Sequence, residues 1–372
     1  MTTDLKVALV HPWLTNQGGS ERVLDAFSQA FPGAPIHTSV YDPKALPVFA
    51  DRDVRTSFLQ SWPLSHRHQL FPLLRRRAFE SFDLSGYDVV LTSDHCEAKG
   101  VLTGPDTLHL AYIHTPTRYY WSDYQRYLAN PGFGRLDPLV RLALPVLAGR
   151  MRQWDLAAAQ RPDHLFANSA VVARRIQKYY RRDSEVLHPP VDISRFSTDA
   201  ARGDHFVVVS RLIPYKSVEL AVRACAELDL PLRVVGDGPE RPKLESLAGP
   251  RTVFTGAVSD EQVAIEYGQA RAMIFPADED FGLTPLEAMA SGTPVLALAR
   301  GGATETVVAG VTGDFFPEQT VASLVEALRG FQPQDYDVAA LRARAEEFSV
   351  ESFVARLRER VLDLHHAWSN RV

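Results

Sequence analysis

The sequence predicts an α/β protein built from two doubly wound, Rossmann-like domains, and three observations carry that expectation. Short apolar runs alternate with segments of helical periodicity, the pattern of a parallel sheet with helices on both faces. The alternation is broken at Pro189-Pro190 and then starts again. A length of 372 residues exceeds one ordinary core and suits two.

The strand runs of the first half are KVALVH (6–11), IHTSVY (36–41), DVVLTS (88–93), LHLAYIH (108–114) and HLFANS (164–169). Amphipathic SERVLDAFSQAF follows the first run and AVVARRIQKYY the last. Paired prolines suit neither a helix nor a central strand, so EVLHPPVDISRF (185–196) supplies the linker, placed at 188–196 between domains 1–187 and 197–351. The second half repeats the alternation through HFVVVSRL (205–212), LRVVGDG (232–238), TVFTGAV (252–258), AMIFPA (272–277) and PVLALA (294–299). Phe353, Leu357, Val361 and Leu364 stand at helical spacing, so a terminal helix over about 352–372 is expected to pack back on the first domain. Two such domains facing each other leave a cleft at the carboxyl ends of their strands, where open α/β sheets bind ligands.

The hydrophobic fraction of 45% and charged fraction of 23% exclude wholesale disorder. Cys96 and Cys225 lie far apart without CxxC spacing, which excludes a zinc ribbon or a disulfide scaffold and suits burial in a reducing cytoplasm. The first strand begins almost at once, so neither a signal peptide nor a membrane span is expected, and the localisation read from this is cytoplasmic. Charge is uneven: residues 1–190 hold 22 Lys and Arg against 18 Asp and Glu, residues 191–372 hold 18 against 27. No basic run is interleaved with stacking aromatics, so nucleic acid is not an expected partner. SHRHQLFPLLRRRAF (65–79) reads either as a solvated helix face or as a peripheral contact with an anionic membrane through Arg75, Arg76 and Arg77.

Glycine-bearing turns follow several strands. Gly18-Gly19 precedes a helix, so it is either a structural turn or a place where backbone N–H groups meet an anion. GDGPER (236–241) is no dinucleotide fingerprint, since its sixth position is Arg241. In SRLIPYK, Arg211 and Lys216 flank a strand-to-helix turn; they are a solvent-facing pair or they bracket a diphosphate, the arginine by forked hydrogen bonds and the lysine as a point charge. FPADEDFGLTPLEAMA sets Glu279 and Glu287 around a Phe-Gly turn at another strand end, and carboxylates there suit sugar hydroxyls. Cations and carboxylates together favour a nucleotide-sugar over a nicotinamide dinucleotide.

The order GGSE, HTP, SRxxxxK, GxGPE, EDFGLTPLE and a Gly-Gly turn before Thr-Glu resembles glycosyltransferase family 4, retaining nucleotide-sugar transferases of GT-B fold, and the likeness covers nearly the whole chain. AYIHTPTRYYWSDY (111–124) resembles more narrowly the mannosyltransferases of O-antigen and other bacterial surface polysaccharides. The resemblance implies that Glu279 lies against the donor sugar, that Glu287 holds the ribose hydroxyls, and that the N–H groups of Phe281, Gly282 and Leu283 face the distal phosphate. It further implies that Arg211 and Lys216 grip the diphosphate, that Gly19 allows close approach, and that His114 contacts the sugar or the transferring centre. The base would lie against Ala257, Val258 and Asp260; Asp260 either accepts from a guanine edge, favouring GDP-mannose, or caps the helix in SDEQV. The expected acceptor is a lipid-linked glycan at the inner membrane face.

Asp278-Glu279-Asp280 contains a D-x-D pattern, but it lies within the paired-glutamate motif beside two cations, so no metal or other cofactor is expected and activity should survive EDTA. A two-lobed binding protein and a dinucleotide-dependent oxidoreductase are the rival classes; an epimerase or phosphorylase is the rival within the fold. Trp13, Trp62, Trp121 and Trp154 either pack or line an acceptor groove, and Asn168-Ser169 reads first as a helix cap.

Overall fold

A computed structural model describes residues 5–63, 65, 71–129, 134 and 137–370. The chain divides into two compact units, Met1–His188 with Phe353–Val372, and Pro189–Ser352.

The first unit is built on seven strands: β1 (Val7–His11), β2 (Ile36–Thr38), β3 (Val54–Thr56), β4 (Val89–Asp94), β5 (Leu108–Ile113), β6 (His164–Ala167) and β7 (Glu185–Val186). All pair in parallel, in the order β3-β2-β1-β4-β5-β6-β7. Of the five inner strands, β1, β2, β4 and β5 are buried throughout, as sheets covered on both faces require. The second unit holds β8 (Phe206–Val209), β9 (Leu232–Val235), β10 (Thr252–Gly256), β11 (Ala272–Phe275), β12 (Val295–Leu298) and β13 (Gly313–Phe316), also parallel, in the order β10-β9-β8-β11-β12-β13. Counted within its own unit, the second sheet runs 3-2-1-4-5-6, the Rossmann order, and the first runs the same with a seventh strand added at its edge. The chain direction across the sheet therefore reverses beside β1/β4 and beside β8/β11, and ligands of such sheets bind outside the carboxyl ends there.

The terminal helix Val350–Ser369 buries Phe353, Leu357 and Val361. In the first unit Phe353 stacks on Phe27 at 6.2 Å and meets Tyr112 edge-on, while Arg360 forks onto Glu185 at 2.8 and 2.9 Å. The segment expected to be a linker is not loose: Val191 and Phe196 belong to the core of the second unit, and the Val191 N–H donates to the Phe348 carbonyl at 2.8 Å. Strands β3, β7 and β13 escape sequence reading because they are edge or near-edge strands of two to four residues with half-exposed faces. The 22-residue helix Asp137–Ala158 escapes it as well, since it carries Pro145 and turns Leu139, Leu142 and Val146 outward. No helix of the described residues is long and apolar enough to cross a membrane.

The arginine run does not form a basic face. Arg75, only 2% exposed, forks onto buried Glu97 at 2.8 and 3.0 Å and donates to the Tyr119 hydroxyl at 3.2 Å. Arg76 lies over the Trp154 ring, and of the three only Arg77 is exposed. Helical spacing turns successive residues to different sides, so three adjacent arginines cannot share one face. The SHRHQL portion of the proposed membrane contact falls mostly on residues 66–70, outside the described residues. The tryptophans pack: Trp154 donates to Glu80 at 2.9 Å, Trp121 to Asp155 at 2.7 Å, and Trp62 meets Phe71 at 4.6 Å between ring centres. Trp13 meets His95 edge-on. Both cysteines are buried and free.

Candidate active site

In the second unit the strand-end chemistry gathers at the β8/β11 switch point. Beyond β8 the chain forms the loop Ser210–Ile213 and a single 3-10 turn, Pro214–Lys216, before the helix Val218–Glu227. Two backbone bonds tie this loop to the GDG turn: the Leu212 N–H donates to the Asp237 carbonyl at 2.9 Å, and the Glu240 N–H to the Leu212 carbonyl at 3.0 Å. Gly236 is required there, because a Cβ would stand 2.0 Å from the Ser210 carbonyl oxygen. The glycines of GDGPE thus brace the SRLIPYK loop rather than cradle a dinucleotide. On that loop Arg211 is exposed and donates to the Tyr215 hydroxyl at 3.1 Å. Lys216, 16% exposed, is ion-paired with Glu279, 17% exposed, on the loop that follows β11.

The Glu279 loop is held from behind. The Gly302 N–H donates to the Glu279 carbonyl at 2.8 Å, and a Cβ on Gly302 would stand 2.1 Å from the Phe281 Cα. Phe281 is buried against Phe348, and Gly282, at φ 81°, leads into the helix Leu283–Ala290 without a side-chain cap. The first turn of that helix, beginning at Leu283, therefore keeps N–H groups for an anion. Glu287, one turn further and 7% exposed, accepts from the Tyr267 hydroxyl at 3.2 Å. Ala257 and Val258 follow β10 at the surface. The cap of the next helix is Ser259, which accepts from the Gln262 N–H, and not Asp260; Asp260 is ion-paired with Arg195 at 2.9 Å. Among the described residues no group of three or more His, Cys, Asp or Glu side chains is arranged to hold a metal ion.

The first unit gathers its own polar cluster at the β1/β4 switch point. Gly18 precedes the helix Gly19–Ala30, whose first turn carries buried Glu21. The Glu21 carboxylate, which accepts from the Ser20 hydroxyl at 3.0 Å, already occupies part of the positive helix end expected for an external anion. It faces His11 at 3.5 Å; His11 Nδ1 meets the Ser93 hydroxyl at 3.2 Å, and Ser93 meets His114 Nε2 at 2.8 Å. Burial pushes the Glu21 carboxyl up, but the hydrogen bond and positive field of His11, with His95 beyond, outweigh it and hold the group at about 2. Burial, assisted by His95 and His11, pushes His114 down to about 3, and burial likewise lowers His95 to about 3. Both imidazoles are therefore neutral near pH 7.

The HTPTRYYW segment is anchored by a buried lysine. Lys99 pairs with Asp155 at 2.7 Å and Asp94 at 3.1 Å. Burial alone would strip its proton, and the two carboxylates reverse that and push it well above the ordinary lysine range. Asp155 also accepts from Thr117 at 3.1 Å, Trp121 at 2.7 Å and Tyr180 at 2.8 Å. Ser169 caps the helix Ala170–Tyr180 by accepting from the Val172 N–H at 3.1 Å. His11, Glu21, Ser93, Lys99 and Asp155 were not singled out from the sequence. For His11 and Ser93 the signal is a polar residue at the end of an otherwise apolar strand, as in VALVH and VVLTSD, whereas Glu21, Lys99 and Asp155 sit on helices and carry no such mark.

Two Rossmann-ordered units with charged loops at their switch points define a GT-B protein. The two matching family descriptions are "Glycosyltransferase Family 4" over residues 17–195 and "Glycosyl transferases group 1" over residues 192–347. The chain belongs to the family 4 glycosyltransferases. It is 31% identical over 204 residues to a GDP-mannose-dependent alpha-(1-6)-phosphatidylinositol monomannoside mannosyltransferase of Mycolicibacterium smegmatis, covering 47% of this chain and 53% of that one. It is 32% identical over 209 residues to a D-inositol 3-phosphate glycosyltransferase of Mycobacterium avium, covering 49% of each. The chain thus spans about half the length of the curated relatives it matches. Among solved structures, Anabaena HepE in complex with UDP superposes with a TM-score of 0.71 at 17% identity, covering 96% of this chain and all of that one, a likeness of fold.

Proposed function

We propose that this protein is a retaining glycosyltransferase that moves a hexose, mannose from GDP-mannose in the favoured reading, onto a lipid-linked or glycan acceptor of cell-surface polysaccharide or glycolipid synthesis. One observation carries it: Lys216 and Glu279, from the loops after two adjacent strands, meet as an ion pair beside the uncapped helix start at Leu283. That mouth offers cations and N–H groups to a diphosphate and a carboxylate to sugar hydroxyls.

In this reading Arg211 and Lys216 neutralise the diphosphate, Glu279 accepts from the sugar and steadies positive charge at its anomeric carbon, and Glu287 accepts from the ribose. The bond from the anomeric carbon to the diphosphate oxygen breaks, and the acceptor oxygen bonds the same carbon from the same face. A phosphate oxygen of the leaving nucleotide takes the acceptor proton. No side-chain nucleophile is needed, and the rate rests on charge stabilisation. With a lysine and an arginine at the diphosphate, transfer proceeds without a divalent ion. Mannose and GDP are supported by the GDP-mannose dependence of the mycobacterial relative; UDP is the second reading, favoured by the HepE complex.

Thermal melting of the full chain with GDP, UDP, ADP and GDP-mannose, each with and without EDTA, tests this. A ligand at 100 times its Kd stabilises by about 2.7 kcal/mol. Shifts with GDP and GDP-mannose alone, unchanged by EDTA, are expected. A shift with UDP or ADP instead replaces the donor, and no shift with any nucleotide sinks the proposal. Binding without sugar release in the presence of glycan acceptors would favour a two-lobed binding protein.

A further inference from the structure

The helix Asp137–Ala158 is apolar on two sides. Its inner side packs Ala148, Met151, Trp154 and Ala158 against Tyr120. Arg141 donates to the Ala129 carbonyl at 2.7 Å, Arg152 to the Tyr120 carbonyl at 2.8 Å and Trp154 to Glu80, so the helix is held to the first unit along its length. Its outer side carries Leu142, Leu139 and Val146 at 77%, 66% and 62% exposed, the three most exposed large apolar side chains among the described residues. They fall at i, i+3 and i+7, one stripe of a helix, and exposed Leu156 extends the stripe to about 25 Å. Of the exposed positions from 138 to 157 only Arg141, Arg150 and Gln153 are polar; the rest are Pro, Leu, Ala or Val. A surface helix turns polar residues away from the core, so a helix apolar on both sides is one that something covers.

The charges indicate what covers it. From Pro138 through Trp154 every ionisable residue is an arginine. Arg152 lies against the Trp121 and Tyr124 rings, while Arg141 and Arg150 are exposed. Neither acid of the helix is exposed: Asp155 is buried and Asp137, at its start, is half-buried. The adjoining helix Tyr124–Ala129 exposes Arg126 and Tyr127 as well. A second copy of this chain would bring the same arginines to the stripe and no exposed carboxylate to meet them. A protein partner forms about one hydrogen bond per 100–200 Å² of interface, and the stripe itself offers only Gln153. A bilayer needs neither: leucines enter the acyl boundary, and arginine stems lie along it while their guanidinium groups reach lipid phosphates.

We propose that the outer side of the helix Asp137–Ala158 lies in the plane of an anionic membrane surface, with Leu139, Leu142 and Val146 in the acyl boundary and Arg141 and Arg150 on lipid phosphates. The helix is not long and apolar enough to cross, and its inner side is already occupied, so it rests on the bilayer. This moves the lipid contact away from Arg75–Arg77, where charge alone suggested it, to a helix whose apolar stripe is matched by its cations. The contact rests on this face and not on the proposed transfer; with a lipid-linked acceptor, it would hold the enzyme at the surface where that acceptor lies.

The test is sedimentation of the full chain, without nucleotide, with vesicles of phosphatidylcholine alone or mixed with phosphatidylglycerol. Binding to the mixed vesicles is expected. Leu142→Gln with Val146→Gln should weaken it by roughly 10-fold or more, and Arg141→Gln and Arg150→Gln by about 5-fold each. Val253→Gln, exposed in the second unit, should leave it unchanged. Unchanged urea midpoints in these surface variants are the check on folding. Both native cysteines are buried, so a polarity-sensitive dye can be placed on Leu142→Cys; its emission should shift to the blue on mixed vesicles and be quenched by brominated acyl chains. No binding to mixed vesicles overturns the proposal, as does binding indifferent to the leucine and arginine variants, or a dye that stays in water while the protein sediments. Sedimentation velocity without lipid covers the remaining case: a dimer dispersed by Leu142→Gln would assign the face to a second copy and overturn the proposal too. Vesicle binding by a chain that transfers no sugar would remove the proposed function and leave this contact standing.

Discussion

Lys216 and Glu279 stand 63 residues apart and meet because β8 and β11, whose ends carry them, are neighbours in the second sheet. Each holds the other as a mostly buried ion pair, and Arg211 lies on the same loop as the lysine. Lys216→Ala and Arg211→Ala should each lower kcat by about 100- to 1,000-fold, the usual cost of removing a preorganised charge-stabilising group. Steady-state sugar transfer measures it, and near-normal turnover in both variants would refute the donor-site assignment.

Gly302, behind the Glu279 loop, predicts a second outcome. Alanine at 302 would place its Cβ 2.1 Å from the Phe281 Cα, so backbone must move. Gly302→Ala should destabilise by about 3 kcal/mol, near the upper range for overpacking, and abolish the nucleotide-induced melting shift. Gly310→Ala is the control: its φ is 72° but a Cβ there meets open space, so about 1 kcal/mol of strain and an intact nucleotide shift are expected. Equal effects in the two variants would show that the Gly302 contact does not shape the loop.

What could be read in advance follows from how far apart the partners lie. The SRLIPYK and EDFGLTPLE loops are local motifs at the ends of apolar runs, so Arg211, Lys216, Glu279 and Glu287 were found from spacing and resemblance. His11 and Ser93 lie 82 residues apart, and only the sheet order places them side by side. The same holds for Arg75, read as surface charge until its partners Glu97 and Tyr119, 22 and 44 residues away, are known. The cap alternative for Asp260 was off by one position, because either residue of Ser259-Asp260 could have capped and the backbone gave the role to the serine.

The buried fork between Arg75 and Glu97 predicts a stability effect where sequence suggested a lipid effect. Removing one partner of a buried pair leaves an uncompensated charge, at about 3–5 kcal/mol. Arg75→Ala should therefore lower the urea midpoint strongly while exposed Arg77→Ala leaves it nearly unchanged. In sedimentation with anionic vesicles, Arg77→Ala is the variant of the two that can weaken binding without altering the fold. A normal midpoint for Arg75→Ala would contradict the buried fork.

Acid should destabilise the first unit from near pH 6.5 downward. His95, His109 and His114 are held at about 3, by burial first, so between 6.5 and that value the unfolded chain binds protons that the folded chain refuses. Stability is then complete above 6.5 and falls with pH through this window, by about 1.4 kcal/mol per pH unit for each such histidine. Glu21, lowered from 4.5 to about 2, adds a loss in the same direction between those values, because its stabilising charge persists in the folded state after the unfolded carboxyl has protonated. His109 isolates the effect: both of its ring nitrogens are buried without a hydrogen-bond partner among the described residues, and it lies outside the His11 cluster. His109→Leu removes one titrating group from the window, so urea denaturation between pH 6.5 and 5 should show a slope shallower by about 1.4 kcal/mol per pH unit. An unchanged slope would mean that His109 takes up its proton in the folded protein as readily as in the unfolded chain.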